Sequence, residues 1–267
     1  MYPVVVSDLD GTLLNQNHEL APRTLDVIRR LSAQGTKFVF ATGRHHVDVK
    51  DFREQLGIKM YMITCNGARV HNPEDEAIIR HDVYPEHVGP LVALGRQYKE
   101  QVFTSVYQED NWFVEQYFEK MEEFSDENGF HYTMINLDDV PTKAVAKVFY
   151  MAEDHESLLQ LEKDILEQFG EQVSVTFSLP NCLEVMAPGV CKGVALAEVL
   201  KLKGYEFKDT VAFGDGLNDY EMLAEVGKGL LMGNADQRLR AKLPDNEVIG
   251  HCNDDAVADY LEKQLMQ

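Results

Sequence analysis

Four short polar segments hold the residues with chemistry in them. They are Asp8-Leu9-Asp10-Gly11-Thr12, Thr42-Gly43-Arg44, Cys191-Lys192-Gly193 and Gly214-Asp215-Gly216-Leu217-Asn218-Asp219. Brought together, Asp8, Asp10, Asp215 and Asp219 make a crowd of carboxylates that repel one another by on the order of several kcal/mol. A hard divalent cation relieves that repulsion, and an all-oxygen donor set favours Mg²⁺ over zinc. Mg²⁺ also leaves coordination positions open for a phosphate oxygen. Lys192, at the start of a helix rich in unpaired N–H groups, suits the same anion. A carboxylate such as Asp8 can attack phosphorus to give an aspartyl-phosphate. Asp10, two residues on, is placed to protonate the leaving alkoxide and then to activate water. The Thr42 hydroxyl, the Gly43 N–H and the Lys192 ammonium would meet the transferring oxygens, where charge accumulates.

Each segment alone has a plainer reading. Asp-x-Asp-Gly is an ordinary turn. It also begins like a calcium loop, but Leu13 and Leu14 stand where further oxygen ligands belong. Thr42 alone would cap a strand end, and Lys192 would be a solvated lysine. The company of the other segments turns the reading towards chemistry, and the elements around them say why they meet.

Val4-Val5-Val6 is a β-branched strand that stops at Asp8. Pro22 to Ala33 places Leu25, Ile28 and Leu31 on one helix face, with Gly35 as the stop. Lys37 to Ala41 is a strand ending at Thr42, about Val47 to Leu56 a helix, and Tyr61 to Thr64 a third strand. Asn66-Gly67 and the turn at Asn72 to Asp75 predict a small hairpin. Alternation of this kind means right-handed βαβ units on a parallel sheet. Ligands gather outside the carboxyl ends of such strands.

From about Tyr84 the rhythm changes. Helices are expected near Glu86–Tyr98, Tyr117–Glu127 and His155–Phe169. Strands are expected at Val102–Tyr107, Trp112–Glu115, His131–Ile135, Ala146–Met151 and Val173–Phe177. That mixture reads as an inserted α+β module. The first rhythm then returns, with Asn181–Met186 extended, a helix over Gly189–Leu200, strands at Thr210–Phe213 and Lys228–Met232, and a closing helix over Asp254–Leu265. The predicted organisation is core over residues 1–83, insert over 84–187 and core again over 188–267.

The 267 residues carry a formal charge of −20, which argues against nucleic acid and anionic membranes as partners. No segment approaches the roughly 20 apolar residues of a membrane span, and the N-terminus lacks the basic start of a signal peptide. Cys65, Cys182, Cys191 and Cys252 form no C-x-x-C pair and read as reduced thiols. The expectation is a cytoplasmic protein, monomeric or weakly homo-oligomeric, acting on a small phosphorylated metabolite.

Asp8 to Thr12 resembles the D-x-D-G-T signature of the haloacid dehalogenase superfamily. Thr42, Lys192 and Gly214 to Asp219 resemble its second, third and fourth motifs, in order. The G-D-G-x-N-D form and the insert resemble the Cof-type branch, and Phe38 to Val49 is most similar to the YigL-like pyridoxal phosphate and sugar phosphatases. The resemblance spans essentially the whole chain. It implies a Rossmann-like parallel-sheet α/β core with an inserted α/β cap of the C2 type, closing over the site. It further implies Asp8 as nucleophile and Mg²⁺ ligand, and Asp10 as acid/base lending the metal its backbone carbonyl. Phosphate would be held by Leu9 N–H, Thr42, Gly43, Lys192 and Asn218. Asp215 would complete the metal site, with Asp219 supporting it directly or through a neighbour. The implied reaction is hydrolysis of small phosphomonoesters, pyridoxal 5′-phosphate and sugar phosphates among them. The rivals are a phosphomutase and a non-catalytic, Mg²⁺-dependent sensor. Cys191 departs mildly from the small polar residue usual before the lysine.

Other features have bland expectations. His45-His46 reads as a surface or substrate-contact pair rather than a metal site. Trp112, with Phe113, Tyr117 and Phe118, reads as core of the insert rather than a stacking platform. Cys65 reads as packing, and Glu119 to Glu123 as a solvated helix face.

Overall fold

The computed structural model describes residues 2–117 and 130–265. The helix expected over Tyr117–Glu127 falls, after Tyr117, outside the described residues, as do Phe118 and the run Glu119 to Glu123. The chain divides into two compact units, Met1–Ile78 with Cys191–Gln267, and Ile79–Val190. The architecture is mixed α/β, with a parallel-sheet core.

In the first unit the strands are β1 (Val4–Ser7), β2 (Lys37–Ala41), β3 (Tyr61–Thr64), β4 (Arg69–His71) and β5 (Ala77–Arg80), joined late in the chain by β12 (Thr210–Gly214), β13 (Lys228–Leu231) and β14 (Glu247–Val248). The sheet order is β14-β13-β12-β1-β2-β3-β4-β5. From β14 to β3 every neighbour is parallel, and β4 turns back antiparallel on β3. Val4, Val5 and Val6 are all buried, as a strand covered on both faces requires. Helix α1 (Pro22–Ala33) starts with proline in its first turn and buries Val27, Ile28 and Leu31. Each such side chain contributes roughly 1.5–3 kcal/mol on burial. The core holds Val5, Ile28, Leu31, Phe40, Phe213 and Leu261 in one cluster.

Helix α2 (His46–Leu56) follows β2, and α5 (Lys192–Lys203), α6 (Tyr220–Glu225), α7 (Gln237–Lys242) and α8 (Ala256–Leu265) complete this unit. Two differences from the sequence reading have plain causes. The helix expected from Gly189 begins at Lys192, because Cys191 is its N-cap and its sulfur accepts the Val194 N–H. The elements α6, α7 and β14 went unpredicted, being six, six and two residues long. That is too short for a period to show.

The second unit has β6 (Val102–Gln108), β7 (Asn111–Val114), β8 (Tyr132–Met134), β9 (Val145–Ala152), β10 (Ser174–Leu179) and β11 (Cys182–Met186), in the order β10-β11-β9-β6-β7-β8. Helices α3 (Pro85–Gln97) and α4 (Glu156–Phe169) share one core with Val148, Tyr150, Leu183 and Val185. Strand alternation sends Lys147, Phe149 and Glu184 to the opposite face. Trp112 lies buried among Tyr107, Phe130 and Phe149, so packing is its observed role. No helix among the described residues is long and apolar enough to cross a membrane.

Candidate active site

The site grows from the carboxyl ends of β1, β2 and β12, which lie side by side because the three strands are parallel neighbours. Asp8 directly follows β1, and its N–H still reaches Phe213 O across the ladder at 3.1 Å. Gly11 takes φ +69°, and a β-carbon there would stand 2.3 Å from Asp215 Oδ2. The glycine is therefore needed twice, for the left-handed backbone and for the close approach of Asp215. Gly214 is needed for space as well, since its β-carbon would stand 2.6 Å from Asp219 Cγ.

Lys192, fully buried, joins the halves of the site. Its Nζ donates to Asp8 Oδ1 and to Asp219 Oδ1, each at 2.7 Å. Asp219 Oδ2 accepts the backbone N–H groups of Asp215 and Gly216, both at 2.9 Å, which locks the turn after β12. Asp215 Oδ1 accepts from Thr12 at 2.8 Å. One oxygen from each of Asp8, Asp215 and Asp219 lies within 4.8 Å of the others.

The carboxylates outnumber the lysine, and the titrations follow. Burial pushes Asp8 well above the usual carboxylate range; Lys192 pulls the other way, while Asp219, Asp215 and Asp10 add to the rise. Burial and the charge of Asp219 push Asp215 up to about 7, against the Thr12 hydrogen bond. Burial disfavours the Lys192 ammonium, but Asp219 and Asp8 outweigh it and hold the lysine charged. A cluster of oxygen donors with excess negative charge is the donor set that a hard divalent cation fits.

Asp10 lies near enough to raise the carboxyls of Asp8 and Asp215, but it is tied differently from the other three carboxylates. Its side chain is turned to Arg44, which grips it with Nε at 2.8 Å and Nη2 at 2.6 Å, and His18 Nδ1 lies 3.0 Å away. Burial works to raise this carboxyl, but the Arg44 guanidinium and the hydrogen bonds from His18 and Arg44 hold it well below the usual range. Asp10 is thereby held as a carboxylate.

The remaining residues singled out from the sequence fall on the same rim. Thr42 is buried after β2, its hydroxyl accepting the Arg44 N–H at 3.1 Å, and Gly43 lies in the bend between them. Leu9 is buried within the turn after Asp8. Asn218 donates to Asn66 Oδ1 at 3.0 Å.

Several participants were not named from the sequence. Arg44 and Asn66 were in view at strand ends, and the left-handed backbone of Asn66, φ +53°, is what turns its amide to Asn218. His18 and Asn234 carried no signal of their own. Asn234, in the loop after β13, donates to Gly11 O at 2.7 Å and accepts the Cys252 N–H at 3.1 Å, fastening the Asp10 turn. Of the surface or substrate-contact reading of His45-His46, the surface half does not hold for His45: it is buried, and it caps α2 by accepting the Val47 N–H. His46 stacks on His71 at 4.3 Å between ring centres. Cys65 is fully buried, as packing requires.

This geometry has relatives. The family of haloacid dehalogenase-like hydrolases matches residues 5–261. The HMP-PP phosphatase of Escherichia coli (strain K12 / DH10B) is 38% identical over 258 residues, covering 97% of this chain and 94% of that protein. A haloacid dehalogenase-like hydrolase from Bacteroides thetaiotaomicron is similar in structure with a TM-score of 0.85 at 25% identity, over 98% of this chain and 99% of the other. A Thermotoga maritima protein has a TM-score of 0.81 at 29% identity, over 98% and 97% of the two chains. The chain belongs to the haloacid dehalogenase-like hydrolases, in their Cof-type phosphatase branch. It is an enzyme, a phosphoric monoester hydrolase.

Proposed function

We propose that the chain hydrolyses small phosphomonoesters through a covalent intermediate on Asp8, with Mg²⁺ as cofactor. The observation that carries this is the cluster in which Lys192, the one ammonium among the described residues paired with these carboxylates, bridges buried Asp8 and Asp219 beside half-buried Asp215. A purely structural ion pair would balance its charges; this cluster carries an excess of carboxylate that a cation would offset.

Asp8, Asp215, Asp219 through its neighbours and the Asp10 carbonyl would hold the Mg²⁺, which supplies positive charge for the phosphoryl oxygens. An Asp8 oxygen attacks phosphorus; the bond to the leaving oxygen breaks, and Asp10 delivers a proton to that oxygen. Water then attacks the aspartyl-phosphate, Asp10 takes its proton, and cleavage of the Asp8 O–P bond returns the carboxylate and inorganic phosphate. Thr42, the Leu9 and Gly43 N–H groups, Lys192 and Asn218 hold the phosphoryl oxygens, with Lys192 stabilising the charge that develops. Asp10 in its grip by Arg44 carries no proton near neutral pH. The first step therefore requires that grip to loosen when substrate binds.

The insert, residues 84–187, is assigned the choice of leaving group, as the family resemblance implies. Pyridoxal 5′-phosphate and hexose phosphates are the substrates we assign. Because the Escherichia coli relative is named for HMP-PP, that compound joins them in the test. Phosphate release should be measured from these compounds, nucleotides and flavin mononucleotide, with Mg²⁺ and with excess chelator. The expected result is Mg²⁺-dependent release from a few members. No release from any member in Mg²⁺, or release unaffected by chelator, overturns the reading.

A further inference from the structure

The opposite end of the core sheet holds a cavity. Val4, Lys37 and Tyr61 are the first residues of β1, β2 and β3, so the place where they meet is the amino end of strands whose other ends carry Asp8 and Thr42. There the structure opens a cavity of about 320 Å³, the size range of small-molecule sites. Its apolar lining is Val4, Phe38 and Val39 from the sheet, Met60 just before β3, and Val199 and Leu200 from α5.

The wall is cationic and aromatic. Lys37, Lys59 and Lys203 line it, with Tyr61 and Tyr205, against a single acidic residue, Glu74. Lys59 pairs with Glu74 at 3.3 Å. Lys203 sits over the Tyr61 ring, 5.3 Å from its centre. Among the described residues no carboxylate pairs with Lys37 or Lys203, so the lining keeps two uncompensated positive charges. In a chain of net charge −20, with 45 acidic residues against 25 basic, carboxylates are the common neighbour, and their scarcity around this cavity, where Glu74 is the one in the lining, is local. The nearby carboxyl end of α5 would oppose an anion. Two carbonyls of its last turn are already met, however, Leu200 O by Gly204 N–H and by Tyr205 N–H at 2.9 Å, and Lys201 O by Gly204 N–H.

We propose that this cavity binds a small anion bearing a flat apolar group, at the end of the sheet away from Asp8. The ring of the ligand lies on the apolar lining beside Tyr61 and Tyr205, and its anionic group is met by Lys37 and Lys203. The site is separate from the reaction and does not depend on the mechanism above.

Naphthalene-2-sulfonate, which carries no phosphate, serves as the probe, titrated calorimetrically into the intact protein in chelator at low salt. One-site binding is expected, weakening with added salt. The double variant K37Q/K203Q should bind about tenfold more weakly or worse, as removal of both ammonium groups implies. K37R/K203R and Asp8→Asn should bind as the parent does. Both lysines are exposed and stand outside the reaction site, so K37Q/K203Q should keep its phosphatase activity, which reports that it is folded. Absence of saturable binding, equal binding by K37Q/K203Q, equal binding of neutral naphthalene-2-sulfonamide, or loss of binding in Asp8→Asn would each overturn the proposal.

Discussion

Each of the two units buries a lysine against carboxylate, and they do so differently. In the insert, Lys147 meets Glu184 at 2.6 Å, and its ammonium lies 4.7 to 4.8 Å from the centres of the Phe149 and Tyr107 rings. Among the described residues one positive charge faces one negative, and Ser178 donates to the other Glu184 oxygen. In the core, Lys192 bridges Asp8 and Asp219 with Asp215 close by, so the carboxylates exceed the ammonium. A balanced buried pair is weak evidence of anything but structure. An unbalanced one is costly to keep, and raised carboxyls mark where the cost falls. The imbalance, not the burial, separates a site for chemistry from a fastening.

Mutation should widen that contrast. The largest effect on stability is expected from Lys192→Met, which leaves Asp8 and Asp219 buried without their cation. Urea denaturation in chelator should show a loss of about 3–5 kcal/mol. Added Mg²⁺ should restore part of it, because the metal takes over the role of the missing charge. A loss that Mg²⁺ does not touch would break the comparison at its functional side.

In the insert, Lys147→Met alone should cost a similar amount, since Glu184 is left buried and unpaired. The double variant K147M/E184L should return to within about 1 kcal/mol of the parent, because a balanced pair can be replaced by apolar volume. A double variant no better than the single would mean that this pair also does more than fasten.

The smallest effect is on pH dependence. In the folded chain Asp215 keeps its proton up to about 7, whereas an ordinary aspartate loses it near 3.8. Between those values the folded state binds more protons than the unfolded state. Stability contributed by this group therefore falls as pH rises through the window. Asp8 shifts in the same direction. In chelator, the Tm of Asp215→Asn should consequently fall less than that of the parent between those pH values. Mg²⁺ should also raise the parent Tm more near neutral pH than in acid, where protons compete for the same oxygens. Parallel pH profiles for parent and variant would contradict the assignment of the shift.

Much of this was legible in the sequence, for a physical reason. A parallel sheet delivers the residues after each strand to one rim, so Asp8, Thr42 and Asp215 could be placed together from strand positions alone. Lys192 could be added because it opens a helix. What escaped depends on directions that spacing does not encode. Asp10 was expected in the carboxylate crowd, and what spacing did not show is that Arg44 lies close enough to grip both its oxygens. Asn66 reaches Asn218 only because its backbone is left-handed. Asn234 comes from a loop whose neighbouring helix, α7, has six residues and shows no period. His45 was read with His46 as a surface or substrate-contact pair because a histidine next to a histidine says nothing about which of them caps a helix.

The central claim is that Asp8 is the nucleophile. The direct measurement is phosphate release by Asp8→Asn beside the parent, on the same substrates in Mg²⁺, with urea denaturation of both. The expected result is turnover lost to below about one part in a thousand, as removal of a nucleophile implies, with folding stability no lower than the parent's, since one of the crowded carboxylates has been neutralised. Substantial phosphate release by a folded Asp8→Asn protein would contradict the account.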